Sequence, residues 1–562
     1  MSRDRRQTPP FQQPHFGSIQ VNYGQGDARP QFAGHDPASS PAGDDAEAWY
    51  QRAKALQESA RFDEALTAFE RAIALRPDYA EAHNGRGIAL ANLQRSGEAM
   101  TSFDKAIALK PDYAEAHNNS GLVLQDHKRF EEALARFDKA IALKPDDTRI
   151  HKNRGAVLQD LKQPEEALES YDRALALRPD YTDVLNNRGV VLNELTRLDE
   201  AMDSFGKAIA LRPDYAEAYS NRGVVLQDLN RFDAALADFD KALALRPDFA
   251  EASVNKGYCL LKTGRFEQGL RLHEWRHKAE KRIDHRIFTR PLWLGGEDIS
   301  NATVFLNWEQ GLGDTIQFCR YAKLLKQRGA NVVMSVQEPL LPLLRQMSPE
   351  ISVIRSAEVP NAYDYYCPLM SLPLAFGTTV QTIPCERRYI VSDEALRKAW
   401  DARLPPPTKK RIGIFWRGNA AQRNNHNRMI ELASLVPLFG DGAHWISLQK
   451  ELLPRDSATL AELPQIVCLG HEFRDFADTA AVIDTLDLVI TVDTGVAHLA
   501  GALGKPVWIL LGFNADWRWL TTRDDSPWYP TARLFRQIGS GSWSDVVGRV
   551  QKALSDFLRS PS

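Results

Sequence analysis

The densest set of residues suited to chemistry runs from Leu486 to Gly512. An apolar run ending at Val492 meets Asp493-Thr494-Gly495, then a helical stretch with His498, then Gly504-Lys505-Pro506 and a second apolar run. This reads as strand, tight turn, helix, turn, strand. A helix opening at the carboxyl end of a strand points free N–H groups and its dipole at whatever lies beyond, a setting suited to phosphate. Thr494 adds a hydroxyl donor, and His498, one turn inside, reaches the same anion; the alternative is a capped helix with a packing histidine. A second turn, Gly311-Leu312-Gly313-Asp314-Thr315-Ile316, places a carboxylate at a helix start, where it also serves as an N-cap. Arg417 and Arg428 flank the polar loop 418–427 and suit a diphosphate, or else solvent. Arg518, between Trp517 and Trp519, suits a phosphate or carboxylate, with the two indoles as core aromatics in the simpler reading.

The elements that position these residues follow from the alternation of apolar runs with helical stretches after residue 300. Strands are predicted at 303–307 and 331–336 with a helix at 315–328 between them, which is βαβ grammar. Leu404-Pro405-Pro406-Pro407 interrupts the pattern, and Arg411-Ile412-Gly413-Ile414-Phe415-Trp416 restarts it. Two Rossmann-like halves are expected, 300–405 and 406–562, with a cleft between them and a connector at 284–299. The fold class is therefore multidomain, an all-α array followed by this α/β domain.

Residues 46–283 are organised differently. Pro77, Pro111, Pro145, Pro179, Pro213 and Pro247 recur every 34 residues, as do Ala65 to Ala235, an aromatic column from Phe69 through Tyr171 to Phe239, and Gly87 to Gly257. This is the tetratricopeptide (TPR) period, with six full repeats and a degenerate seventh unit, 250–283, as a cap. A glycine inside a helix costs about 1 kcal/mol relative to alanine and marks a close helix approach. The series Asp78/Glu81, Asp112/Glu115, Asp214/Glu217 and Asp248/Glu251 predicts capping boxes at the start of each helix A. Asn119, Asn153, Asn187, Asn221 and Asn255 form a ladder on helix A, with Gly85 in the earlier repeat. Their carboxamides match a peptide backbone unit in a concave groove, or bond between repeats. Asp126, Asp160, Glu194 and Asp228, with Gln125, Gln159 and Gln227, form a second polar line. Residues 1–45, rich in Gln, Pro and Gly, read as a disordered tail.

The repeat columns and asparagine ladder resemble the TPR superhelix of O-GlcNAc transferases, which implies an acceptor polypeptide held by the ladder. The segment around Asp493-Thr494-Gly495 and His498 resembles the nucleotide-diphosphate-sugar motif of the heptosyltransferase-like family 9 glycosyltransferases of GT-B fold. The Gly311–Asp314 turn resembles that family's amino-terminal loop, which implies Asp314 as catalytic base and Gly311 and Gly313 beside the donor. Asp475-Phe476-Ala477-Asp478-Thr479-Ala480-Ala481, Asp516-Trp517-Arg518-Trp519 and Ser526-Pro527-Trp528-Tyr529-Pro530 resemble a bacterial group that joins TPR repeats to such a domain. The sequence departs from the family at Arg417, near where heptosyltransferases use a lysine, and in its short 300–405 half.

Composition bounds the remaining possibilities. A formal net charge of -3 gives no general attraction to nucleic acid or anionic membrane. Cys259, Cys319, Cys367, Cys385 and Cys468 lie far apart, with neither a disulfide framework nor a metal site indicated. No apolar run reaches the roughly 18 residues of a membrane span and no export signal is evident, so a cytoplasmic location is expected. The expectation is a glycosyltransferase using a nucleotide-diphosphate sugar as donor substrate, with neither metal nor cofactor, acting on a hydroxyl of a polypeptide in the repeat groove. The alternative is a TPR adaptor with a degenerate transferase domain.

Overall fold

The computed structural model describes residues 45–279, 288–418, 429–539 and 541–560. The expected amino-terminal tail, up to residue 44, and Arg428 lie outside them. The described chain divides into two compact units, one ending at Val225 and one beginning at Leu226.

The first unit is built from helical hairpins: Ala46–Glu58 with Phe62–Leu75, Ala80–Asn92 with Ser96–Leu109, Ala114–Asp126 with Phe130–Leu143, Thr148–Asp160 with Pro164–Leu177, and Thr182–Glu194 with Leu198–Leu211. The glycine column is set by the aromatic column of the same hairpin. A Cβ on Gly87, Gly121, Gly155 or Gly189 would lie 2.5, 2.7, 2.6 and 2.6 Å from the ring of Phe103, Phe137, Tyr171 and Phe205 respectively. Those rings are fully buried, so the helices close only where helix A has no side chain.

A second periodic feature lies in the A-to-B turn. Ala60, Gln94, Lys128, Lys162 and Thr196 all have φ between 56° and 61°, a left-handed conformation that lets the chain reverse after helix A. Thr196 donates its N–H to the Asn193 carbonyl at 3.0 Å. A β-branched residue is the least suited to this region.

The expected capping boxes do not form at Asp78 and Asp112. Helices Ala80–Asn92 and Ala114–Asp126 begin after Tyr79 and Tyr113, with no side-chain cap bond. The aspartate stands two residues ahead of the first helical residue, one too early to cap it. Glu81 instead accepts from Lys110 of its own hairpin, at 2.9 Å. Where Asp147 directly precedes helix Thr148–Asp160 it does cap, accepting from Arg149 N at 3.0 Å.

The second unit begins with the terminal helices Phe232–Leu245, Ala250–Lys262, Phe266–His273 and Arg276–Ala279. Two wholly parallel sheets follow. The first contains β1 (Thr303–Asn307), β2 (Asn331–Val336), β3 (Ile351–Arg355) and β4 (Tyr365–Pro368) in the order β3-β2-β1-β4. The second contains β5 (Lys410–Phe415), β6 (Ala443–Ser447), β7 (Ile466–Cys468), β8 (Leu488–Val492), β9 (Val507–Leu511) and β10 (Ala532–Arg536) in the order β10-β9-β8-β5-β6-β7. The domain is α/β and GT-B-like, as expected, although the helix predicted at 315–328 is two helices, Leu312–Phe318 and Arg320–Gln327. One core holds Leu261 and Phe266 of the terminal repeat together with Val304, Ile446, Val489 and Trp517. Among the described residues no helix is long and apolar enough to cross a membrane.

In open parallel sheets the crevice forms where strand order reverses. In the first sheet this lies between β1 and β4, and Arg276 of the terminal repeat fills it. The Arg276 side chain is 2% exposed, donating to Glu309 after β1 at 2.9 and 3.2 Å, to Ser371 after β4 at 2.7 Å and to Glu274 at 2.6 Å. Burial pushes the Glu274 carboxyl up, but the His277 ring 3.6 Å away and the charge and hydrogen bond of Arg276 outweigh it and bring it to about 2.

Two sets of stability measurements check this packing. In the first unit, Gly155→Ala is expected to lower stability by about 1–3 kcal/mol through overpacking against Tyr171. Thr196→Gly is expected to raise it by up to about 1 kcal/mol by relieving the left-handed turn; thermal melts of the two variants should shift in opposite directions. In the second unit, Arg276→Met leaves buried carboxylates unpaired and is expected to cost about 3–5 kcal/mol. All tryptophans except Trp49 lie in this unit, so denaturant unfolding followed by tryptophan fluorescence reports it. Because the Glu274 carboxyl sits below its ordinary 4.5, its share of stability is complete above that pH and fades as pH falls toward 2.

Candidate functional site

The second sheet reverses between β5 and β8, and the residues after these strands are Trp416-Arg417 and Asp493-Thr494-Gly495. Helix Gly495–Ala502 begins there with Thr494 as N-cap, making no side-chain cap bond. The loop after β1 packs against this end of the helix. A Cβ on Gly313 would lie 2.7 Å from His498 Cδ2 and 3.5 Å from Gly495 Cα. The Gly311–Asp314 turn therefore lies directly over the helix start, and only glycine permits that approach. The turn is steadied by Gln337, which donates to the Gln310 carbonyl at 3.0 Å and accepts from Thr315 at 2.8 Å.

Asp314 uses both carboxylate oxygens. One accepts from Gly311 N at 2.8 Å, tying down the start of helix Leu312–Phe318, and the other pairs with Arg518. Arg518 is buried, donating also to Gln317 Oε1 at 2.7 Å and Asp516 Oδ1 at 2.9 Å. Burial works against its charge, but Asp516 and Asp314 outweigh that effect and hold its pKa above the ordinary value. Its guanidinium lies 4.7 Å from the Trp517 ring centroid and 5.4 Å from that of Phe318. His498 is buried, with Nδ1 2.8 Å from the Tyr529 hydroxyl and its ring stacked on Trp519 at 5.4 Å. Burial raises the Tyr529 phenol to about 12, so it stays protonated and can donate to this histidine at neutral pH.

Gly311, Gly313, Asp314, Thr494, Gly495, His498 and Arg518 thus share one site, and Asp493, at the end of β8, is buried beside it. Arg417 is held elsewhere. It is buried against Asp456 at 2.9 Å, donates to the Glu451 carbonyl at 3.0 Å and exchanges hydrogen bonds with Gln449. It lines a cleft of about 780 Å³ with Trp416, Met429, Asp456, Trp543 and Val547. Trp517 and Trp519 are both core residues, the first packed edge-on against Phe266 of the terminal repeat at 5.8 Å. Sequence reasoning missed Gln317, Asp516 and Tyr529 as partners. Only Gln317 left a usable signal, since it follows Asp314 by three positions on one helix face.

In the first unit the ladder asparagines bond between repeats. Asn119, Asn153 and Asn221 donate to Asn84, Asn118 and Asn186 at 3.1, 2.9 and 2.9 Å. Each acceptor stands one position ahead of the ladder position in the preceding repeat. Asn187 lacks such a partner, because Lys152 occupies that place, and it lies near the Tyr171 side chain. Asn255, in the second unit, is half-buried. Among the described residues no group of three or more His, Cys, Asp or Glu side chains is placed to hold a metal ion.

Comparison with known proteins matches this organisation. Tetratricopeptide repeat profiles match residues 50–114, 114–147, 148–181, 191–230 and 216–249. The profile of glycosyltransferase family 9 (heptosyltransferase) matches residues 474–534, which include Asp493, His498, Arg518 and Tyr529. Protein FlbA of Caulobacter vibrioides is 26% identical over 292 residues, spanning 47% of this chain and 48% of FlbA, so the match spans about half the length of that relative. Similar solved structures include YrrB, a TPR protein with an unusual peptide-binding site, at 29% identity over 33% of this chain and 95% of YrrB with a TM-score of 0.30. They also include PilF of Pseudomonas aeruginosa, at 22% identity over 37% of this chain and 94% of PilF with a TM-score of 0.35. The chain is thus similar to tetratricopeptide-repeat proteins within residues 50–249 and to glycosyltransferase family 9 within residues 474–534.

Proposed function

We propose that the protein transfers a sugar from a nucleotide-diphosphate sugar to a hydroxyl of a polypeptide held along the repeat helices. The observation that carries this reading is the meeting of Asp314, Arg518 and His498 at the start of helix Gly495–Ala502. An acid, a buried cation and a helix N-terminus without a side-chain cap are the three parts that such a transfer needs: a base for the acceptor, a counter-charge for the leaving diphosphate and donors for its oxygens. In this reading the donor diphosphate draws Arg518 away from Asp314, which frees a carboxylate oxygen to take the acceptor proton. Tyr529 orients His498 toward the same phosphate oxygens. The partly exposed indole of Trp543, on the wall of the cleft beside Arg417, suits a nucleobase.

A second reading has one observation in its favour. Gly313 already lies against His498 and Gly495, where donor oxygens would be expected, and a turn packed this closely favours a TPR adaptor whose transferase domain no longer turns over.

Calorimetric titration with UDP-, GDP- and ADP-sugars separates the two. The transferase reading expects one donor to bind the full chain, Arg518→Gln to weaken that binding, and Asp314→Asn to bind with turnover reduced about 10²–10⁴-fold. Binding of none of the donors would overturn it in favour of the adaptor. For the polypeptide face, Asn187→Ala is expected to weaken binding of extended peptides in fluorescence anisotropy. Its melting temperature should stay within about 2 °C, since this asparagine makes no inter-repeat asparagine bond. Unchanged affinity would count against the ladder as a peptide contact.

A further inference from the structure

The residue one position ahead of the ladder is Asn84, Asn118, Lys152, Asn186, Ser220 and Val254 in successive repeats, so Lys152 is the sole charged member of the column. Where asparagine stands there, it accepts from the ladder asparagine of the next repeat. A lysine offers no acceptor, and the ladder bond to Asn187 is absent. Near Asn187 lies Tyr171, the one hydroxylated member of the aromatic column, which donates to Gln159 at 2.6 Å. Two departures from the repeat pattern thus meet at one junction.

Lys152 itself is half-buried on helix Thr148–Asp160, facing the next helix A, Thr182–Glu194. Its ammonium lies 5.9 Å from the Tyr181 ring centroid and forms no ion pair or hydrogen bond among the described residues. The nearby carboxylates are committed elsewhere: Asp147 to Arg149 at 2.8 Å, and Asp183 to Arg212 at 3.0 Å. Burial lowers its pKa below the ordinary lysine value; Asp183 opposes this and Arg149 adds to it. An ammonium that is partly desolvated without a counter-ion is an electrostatic cost that an incoming anion relieves. A structural role would leave it paired, as Lys110 is with Glu81.

We propose that Lys152 is an anion subsite within the polypeptide-binding face, selecting segments that place an aspartate or glutamate side chain against the fourth repeat. The proposal rests on the reading of that face as polypeptide-binding. The ladder carboxamides are blind to side chains, whereas this one cation reads a single side-chain charge and sets the register of the chain along the repeats.

The test uses the full-length protein and fluorescein-labelled 12-residue Ser/Thr/Ala peptides, with one Asp scanned along the chain and the matching Asn series as control. Fluorescence anisotropy is expected to show at least one Asp position bound about fivefold tighter than its Asn counterpart, with the ratio shrinking as salt is raised. Lys152→Asn restores an acceptor for Asn187 and is expected to fold, to melt no lower than the parent, and to bind both series equally. Lys139→Asn, an exposed lysine on a helix B, is expected to keep the preference. Neutral peptides binding without any Asp preference, or a preference that survives in Lys152→Asn, would overturn the subsite while leaving the groove intact. A preference lost equally in Lys139→Asn would overturn it as general charge attraction. Binding of neither series would overturn the subsite and the polypeptide reading together.

Discussion

A guanidinium removed from water must have its donors met from several directions, and the second unit is assembled around places where this happens. Arg276 fills the crevice of the first sheet and ties the terminal repeat to the ends of β1 and β4 through Glu309 and Ser371. Arg320 gives its donors to the carbonyls of Pro384 and Trp528 and to the Tyr389 hydroxyl, stitching the two halves together. Arg518 joins Asp314 and Gln317 of the first half to Asp516 of the second. Each arginine spans elements that no local sequence signal connects, and removing any one strands buried acceptors rather than a single contact.

The same constraint explains how the candidate site is held. Asp314 is fixed by its own helix start and by a cation from the other half, so the charge that would serve catalysis also closes the domain. Glu309 stands five residues ahead of Asp314, which makes the terminal repeat a support for the loop that carries the acid. The seventh repeat is accordingly more than a polar lid on the array: Leu261 and Phe266 share the core of the α/β domain.

The first unit depends on shape more than on charge. Its aromatic rings lie on glycines, its turns are left-handed at one position per repeat, and its ladder asparagines bond backward along the array. Lys152 departs from this regularity, and the departure is visible only because the neighbouring repeats define what should stand there.

The sequence by itself determined the repeat period, the glycine and aromatic columns, the strand runs of both halves and the two turns that meet at the site. These are patterns of side-chain size and polarity repeated at fixed spacing, and local physics is enough to read them. It also allowed two readings of the ladder, and the inter-repeat bonds of Asn119, Asn153 and Asn221 now occupy amide groups that the peptide reading had left open. Tertiary structure alone decided that Asp78 and Asp112 do not cap, because one residue of register separates a cap from a surface charge. It likewise decided that Arg417 pairs with Asp456 away from Asp314, that Arg518 and Asp314 form one ion pair across 204 positions of chain, and that Arg276 fills the crevice. Partners of buried charges are chosen by the packing of distant strands and helices, and spacing along the chain carries no record of that choice.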